Sequence, residues 1–129
     1  MRRLERFFAG REPGGEVAVY LFGSMARGAD QPDSDVDIGV LYRSDPPPTF
    51  DGLPLRLESE LERLLGRATQ VVTLNTAPAD LRARVLRDGV LILDRDPSFR
   101  IRFEVRTRNE WFDLQPTLRE YRRMGVRAV

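Results

Sequence analysis

Two short groups of residues in this chain have the types and spacing for chemistry on phosphate. Gly23-Ser24 ends an apolar run, Val17-Ala18-Val19-Tyr20-Leu21-Phe22. A glycine there lets the backbone turn sharply and come close to a ligand. If Ser24 opens a short helix, its free N–H groups form an anion site, with the hydroxyl as a further donor. Arg27, about one turn later, could bring a fork of donors to a phosphate. Asp35 and Asp37 supply the opposite charge, flanked by Val36, Ile38 and Val40. Side chains alternate along a strand, so both carboxylates point the same way, roughly 6–7 Å apart along the chain. Asp is a poor strand residue, and two on one face repel each other unless a cation lies between them. Mg²⁺ suits the role, since it takes oxygen ligands and keeps positions open for substrate phosphates. One segment thus offers donors for phosphate and acceptors for metal, the two requirements of phosphoryl or nucleotidyl transfer.

These residues need elements to hold them. Residues 16–22 read as a buried strand and residues 35–42 as a second. Residues 2–9 read as a short helix with Leu4, Phe7 and Phe8 on one side, ended by Pro13-Gly14-Gly15. Asp45-Pro46-Pro47-Pro48 is a stiff connection. Over residues 54–65, Leu57, Leu61, Leu64 and Leu65 follow helical spacing, with Gly66 as a stop. Thr69 to Leu74 is rich in β-branched residues and reads as a third strand. Pro78 to Arg87 is a helix with Pro78 in its first turn and Leu81, Val85 and Leu86 on its buried side, closed by Gly89. Val90-Leu91-Ile92-Leu93 reads as a short edge strand. Asp96-Pro97 is a good helix start. Residues 98–114 fit two patterns. Ile101 to Arg106 alternate as a strand would, while Phe99 and Phe103, and Ile101 and Val105, are helix neighbours. No turn signal interrupts them, and we read a helix that Pro116 breaks, with a last short turn over Thr117 to Met124. Trp111, Phe112 and Tyr121 are expected to close the core, with an apolar docking patch as the alternative.

The composition narrows the function. With 129 residues the chain is expected to form one domain, residues 1–129. It has no cysteine, histidine or lysine, and all 21 basic residues are Arg. That excludes disulfides, thiol catalysis, the usual zinc ligands, a histidine base and a P-loop lysine. Met1-Arg2-Arg3-Leu4-Glu5-Arg6 is charged and no apolar core follows it, so neither a signal peptide nor a membrane span is expected, and the protein is expected in the cytoplasm. Net charge is +1, so bulk nucleic-acid binding is not implied. The charge is uneven: residues 28–80 carry −6 and residues 100–129 carry +4. A solvated face accounts for such asymmetry more often than a partner surface does.

Gly23-Ser24, ten residues, then Asp35-Val36-Asp37 resembles the signature of the polymerase-beta-like nucleotidyltransferase superfamily. The stretch Tyr20-Leu21-Phe22-Gly23-Ser24-Met25-Ala26-Arg27-Gly28 with Ser34-Asp35-Val36-Asp37-Ile38-Gly39-Val40 looks like the minimal nucleotidyltransferases, which include MntA-type antitoxins paired with HEPN-domain toxins. The likeness continues at Leu74-Asn75-Thr76-Ala77-Pro78, Val85-Leu86-Arg87-Asp88-Gly89 and Phe103-Glu104-Val105-Arg106. It implies an α/β fold, a small mixed sheet of about four strands with helices packed on it, and a helix over residues 98–114. It also implies a Mg²⁺-dependent enzyme, with two ions possible, that uses ATP or another NTP. Gly23 and Ser24 would hold the β- and γ-phosphates, Arg27 would contact phosphate, and Asp35 and Asp37 would bind metal. The implied acceptor is a tyrosine hydroxyl of a HEPN-domain partner, neutralised by transfer of AMP. A homo-oligomer is compatible with this reading.

In one place the chain departs from the resemblance, which implies a third carboxylate on the third strand. That position falls on Gln70 or, by a shift along the strand, on Thr73, and no Asp or Glu lies between Gly66 and Ala79. Gln accepts a hydrogen bond but cannot serve as a base. Glu58, Glu60 or Asp80 could substitute in space. The rival reading is therefore a binding module of the same fold that neutralises a HEPN partner by occlusion. Direct nucleic-acid binding is a weaker third.

Overall fold

The fold grows from one strand covered on both faces. Glu16–Phe22 forms β1, and all seven of its residues are buried. We describe it from a computed structural model covering residues 2–11, 15–26, 28, 35–45 and 53–123. In chain order the elements are α1 (Arg2–Gly10), β1, α2 (Gly23–Ala26), β2 (Val36–Tyr42), α3 (Leu53–Leu65), β3 (Thr69–Thr73), α4 (Ala79–Asp88), β4 (Val90–Asp94) and α5 (Pro97–Arg123). The strands form one mixed sheet in the order β3-β2-β1-β4. β1 runs antiparallel to β2 and β4, while β2 and β3 are parallel. The expected α/β architecture is present, and the last strand does lie at an edge.

Strand alternation divides the core between two faces. On one, Leu4 and Phe8 of α1 and Leu57 and Leu61 of α3 meet Val19, Leu21, Val36, Ile38 and Val40. On the other, Val85 of α4 and Phe103 of α5 meet Tyr20, Phe22, Leu41 and Leu74. The Tyr20 hydroxyl donates to Glu104 Oε1 at 2.7 Å, tying β1 to α5. Burial, reinforced by that carboxylate, pushes the Tyr20 phenol far above its ordinary range. Asn75 is structural: its side-chain amide exchanges two bonds with the Tyr42 backbone, both 2.8 Å, and so continues the pairing at the end of β2.

Several local expectations hold for simple reasons. Gly66 ends α3 at φ +67° and its N–H donates to Glu62 O at 2.8 Å. Asp96 caps α5 through Phe99 N–H at 3.1 Å. Others are corrected. Pro78 is the cap residue immediately before α4 rather than part of its first turn. Pro116 does not break the last helix, because α5 continues to Arg123. Proline removes one intrahelical bond, but the helix can continue on the bonds either side. Phe112 does not close the core; it is 70% exposed. The side chain of Tyr121, the Pro46–Pro48 connection and Met124 lie outside the described residues. No helix among the described residues is long and apolar enough to cross a membrane.

Candidate functional site

The turn from β1 into α2 is made by Gly23 at φ +76°, a conformation L-residues rarely adopt. The sheet imposes a second constraint on it. Phe22 is paired with Asp37 across the antiparallel ladder, which brings the Asp37 side chain over Gly23. A Cβ on Gly23 would overlap Asp37 Oδ2 and lie 3.2 Å from Cγ. Gly23 therefore allows a carboxylate and the start of α2 to share one place. Ser24 follows, half-buried.

Val36, Ile38 and Val40 point into the core below α1 and α3. Alternation sends Asp37 to the other face, where it is half-buried. Asp35 stands exposed one residue before β2. On the other side of β2, Asp37 is paired with Gln70 in the parallel ladder. Gln70 shares its side of β3 with Val72, on the face covered by α4.

These side chains line a cleft of about 540 Å³. Phe22, Gly23 and Ser24 form one wall, Asp37, Gln70 and Val72 the floor, and Leu81, Arg84 and Asp88 of α4 the opposite wall. The structure thus brings together Gly23, Ser24 and Asp37 of the expected residues. Asp35 is not part of this lining, and Arg27 lies outside the described residues. Of the two places for the third β3 position, Gln70 rather than Thr73 lines the cleft.

The proposed stand-ins for a third carboxylate are elsewhere. Glu58 Oε1 accepts from Val71 N–H at 2.9 Å and Glu62 Oε1 from Thr69 N–H at 3.2 Å. These two glutamates of α3 satisfy the outer edge of β3. Glu60 pairs with Arg11 at 3.1 Å. Asp80 lines a different groove, between α4 and α5. Among the described residues, no group of three potential ligands is positioned to hold a metal. Asp37 and Asp35 offer carboxylate oxygens alone, a donor set that suits Mg²⁺ completed by water and phosphate.

Arg84 and Asp88 were not singled out from the sequence. Their signal was the helical period: Leu81, Arg84 and Asp88 fall at i, i+3 and i+7 of one face. Arg84 is exposed and makes no ion pair among the described residues, so its guanidinium is available to an anion. Asp88 accepts from the neighbouring Arg87 at 3.0 Å.

The sheet and its helical cover are those of the nucleotidyltransferase fold. A family model described as polymerase beta nucleotidyltransferase matches residues 15–98, and this chain belongs to that family. A candidate protein adenylyltransferase of Methanocaldococcus jannaschii is 36% identical over 77 residues, 57% of this chain and 75% of that protein. Among solved structures, a chain of a toxin-antitoxin crystal structure with AMP-PNP superposes with a TM-score of 0.75 at 24% identity, covering 92% of both chains. A chain from the complex of tri-AMPylated Shewanella oneidensis HEPN toxin with MNT antitoxin gives 0.71 at 23% identity, over 93% of this chain and 94% of that one.

Proposed function

We propose that this protein is a Mg²⁺-dependent nucleotidyltransferase that moves AMP from ATP to a hydroxyl of a HEPN-domain partner and so acts as an antitoxin. The observation that supports the reading is the close approach of the Asp37 carboxylate to Gly23, since it puts the residues we assign to phosphate beside the one we assign to metal in one cleft. In this reading the α2 backbone and Ser24 hydroxyl bind the β- and γ-phosphates. Arg27, and Arg84 from the opposite wall, meet phosphate charge as it shifts toward the leaving group. Asp35 and Asp37 would hold one or two Mg²⁺ ions, which when bound supply charge neutralisation and alignment of the triphosphate. The acceptor hydroxyl attacks the α-phosphorus in line. A new P–O bond forms, the bond to the β-phosphate bridging oxygen breaks, pyrophosphate leaves with the electron pair, and the hydroxyl proton passes to water. The relatives support the choice of acceptor, because one is a candidate protein adenylyltransferase and another is a toxin-antitoxin complex with an AMPylated HEPN toxin.

A specific observation favours a second reading, neutralisation by binding. Gln70 sits beside Asp37 where a further carboxylate would assist metal binding and acceptor activation. The test is label transfer from α-labelled ATP with Mg²⁺ into a lysate of the native host. The transferase reading expects a discrete labelled protein with wild type and none with Asp35→Asn/Asp37→Asn. Silence from wild type together with labelling by Gln70→Asp would replace it with the binding reading.

A further inference from the structure

A second cleft, about 600 Å³, runs between α4 and α5 beside the first. Arg84 lines both. The apolar part of the second cleft comes from Leu86, Trp111 and Phe112, and its charge from Arg84, Arg87 and Arg108. Phe112 is 70% exposed, an unusual state for a large aromatic side chain that has neighbours to pack on. Asp80 is the one acid among the described lining residues. Among the described residues Arg108 is held only by a long 3.8 Å pair with Glu104 and Arg84 by no ion pair, while the exposed Arg87 makes two 3.0 Å bonds to the half-buried Asp88. The groove therefore combines an uncovered aromatic floor with surplus positive charge, and one of its cations also borders the nucleotide cleft.

We infer that this groove seats an acidic, apolar-anchored polypeptide segment of the acceptor protein and delivers its hydroxyl past Arg84 to the nucleotide. The inference rests on the transferase reading for the destination of that hydroxyl. Charge complementarity and continuity with the cleft choose the occupant. Acidic side chains meet Arg87 and Arg108 while apolar ones cover Trp111 and Phe112. A nucleic-acid strand fits less well, because its regularly spaced phosphates would leave the apolar side uncovered and run against Asp80 and Asp88.

Trp111 is the only tryptophan in the chain, so its fluorescence reports on this groove directly. The probe is a random glutamate–tyrosine copolymer, an acidic polypeptide with hydroxyls, titrated into the full chain. A lysine–tyrosine copolymer and polyadenylate are the comparison arms. The expected result is a saturable Trp111 response to the acidic copolymer alone. It should be about tenfold weaker in Arg87→Glu/Arg108→Glu and in Phe112→Ala, with ATP binding unchanged. Phe112→Ala alters an exposed side chain and so preserves the test if the double variant folds poorly. Equal affinity in wild type and Phe112→Ala, or a stronger response to polyadenylate, overturns the proposal. The two readings fail separately. Copolymer binding at Trp111 without label transfer from ATP supports the groove and removes the transferase. Transfer into the copolymer at equal rates in wild type and Phe112→Ala supports the transferase and removes the groove.

Discussion

Asp37 and Gln70 are direct neighbours across the parallel β2–β3 ladder, and both line the cleft that begins at Gly23. A carboxylate and a neutral amide thus occupy adjacent positions on one floor. The amide adds no second negative charge beside the Asp37 carboxylate.

Gln70→Asp should reverse that balance. A second carboxylate beside Asp37 repels it in metal-free buffer and strengthens the metal site. Thermal melting with EDTA should fall by a few degrees against wild type, and added Mg²⁺ should restore it. Label transfer should rise by about tenfold or more, as expected when a positioned carboxylate joins proton transfer or metal binding. A variant insensitive to Mg²⁺ would remove Gln70 from the site.

Gly23→Ala should destabilise the fold by about 1–3 kcal/mol, because the residue adopts a left-handed conformation and its new methyl meets Asp37. Nucleotide affinity should fall with it. Gly10→Ala is the matched control, since a Cβ there has nothing within 4 Å. Urea unfolding and ATP titration of the two variants measure the difference.

Glu58→Ala should cost about 1–3 kcal/mol by leaving the Val71 N–H on the edge of β3 without its carboxylate. Glu58→Gln keeps an acceptor and should recover much of the loss. The alanine variant also bares a strand edge, and its concentration-dependent association can be followed by light scattering. Activity per folded molecule should not change, because Glu58 packs on the face away from the cleft.

Tyr42 provides a pH signature. Its buried hydroxyl has no hydrogen-bond partner among the described residues, and burial, then the charge of Glu16, pushes its pKa up to about 12. The ordinary phenol value in an unfolded chain is about 10. A raised folded value means the contribution is fully present below about pH 10 and is lost as pH rises toward about 12. Tyr42→Phe should leave stability at pH 7 unchanged or slightly higher, and should flatten the decline across that alkaline window. Urea unfolding from pH 8 upward checks both expectations.

The signature itself was legible from residue order alone, because each part of it acts locally. Gly23 makes its turn by backbone freedom, Asp37 leaves the core face by strand alternation, and α3 shows its buried Leu57 and Leu61 by helical period, although Leu64 of the same pattern is exposed. These patterns need no knowledge of distant chain, and they sufficed to mark the strands and helices and the Gly23, Ser24 and Asp37 segments; the mixed sheet was implied by the family resemblance and not by the patterns. The tertiary structure decided whatever depended on pairing across the chain. Only the β2–β3 register chose Gln70 over Thr73, and only the packing of α3 turned Glu58 and Glu62 toward the edge of β3 instead of the cleft. Arg84 reached the cleft because α4 crosses that face of the sheet, and Phe112 stayed in solvent because it lies on the side of α5 away from the buried Phe103 and Thr107. Periodicity names the face of an element that is buried. Which other element lies against that face is set by long-range contacts whose sequence separation leaves no local mark.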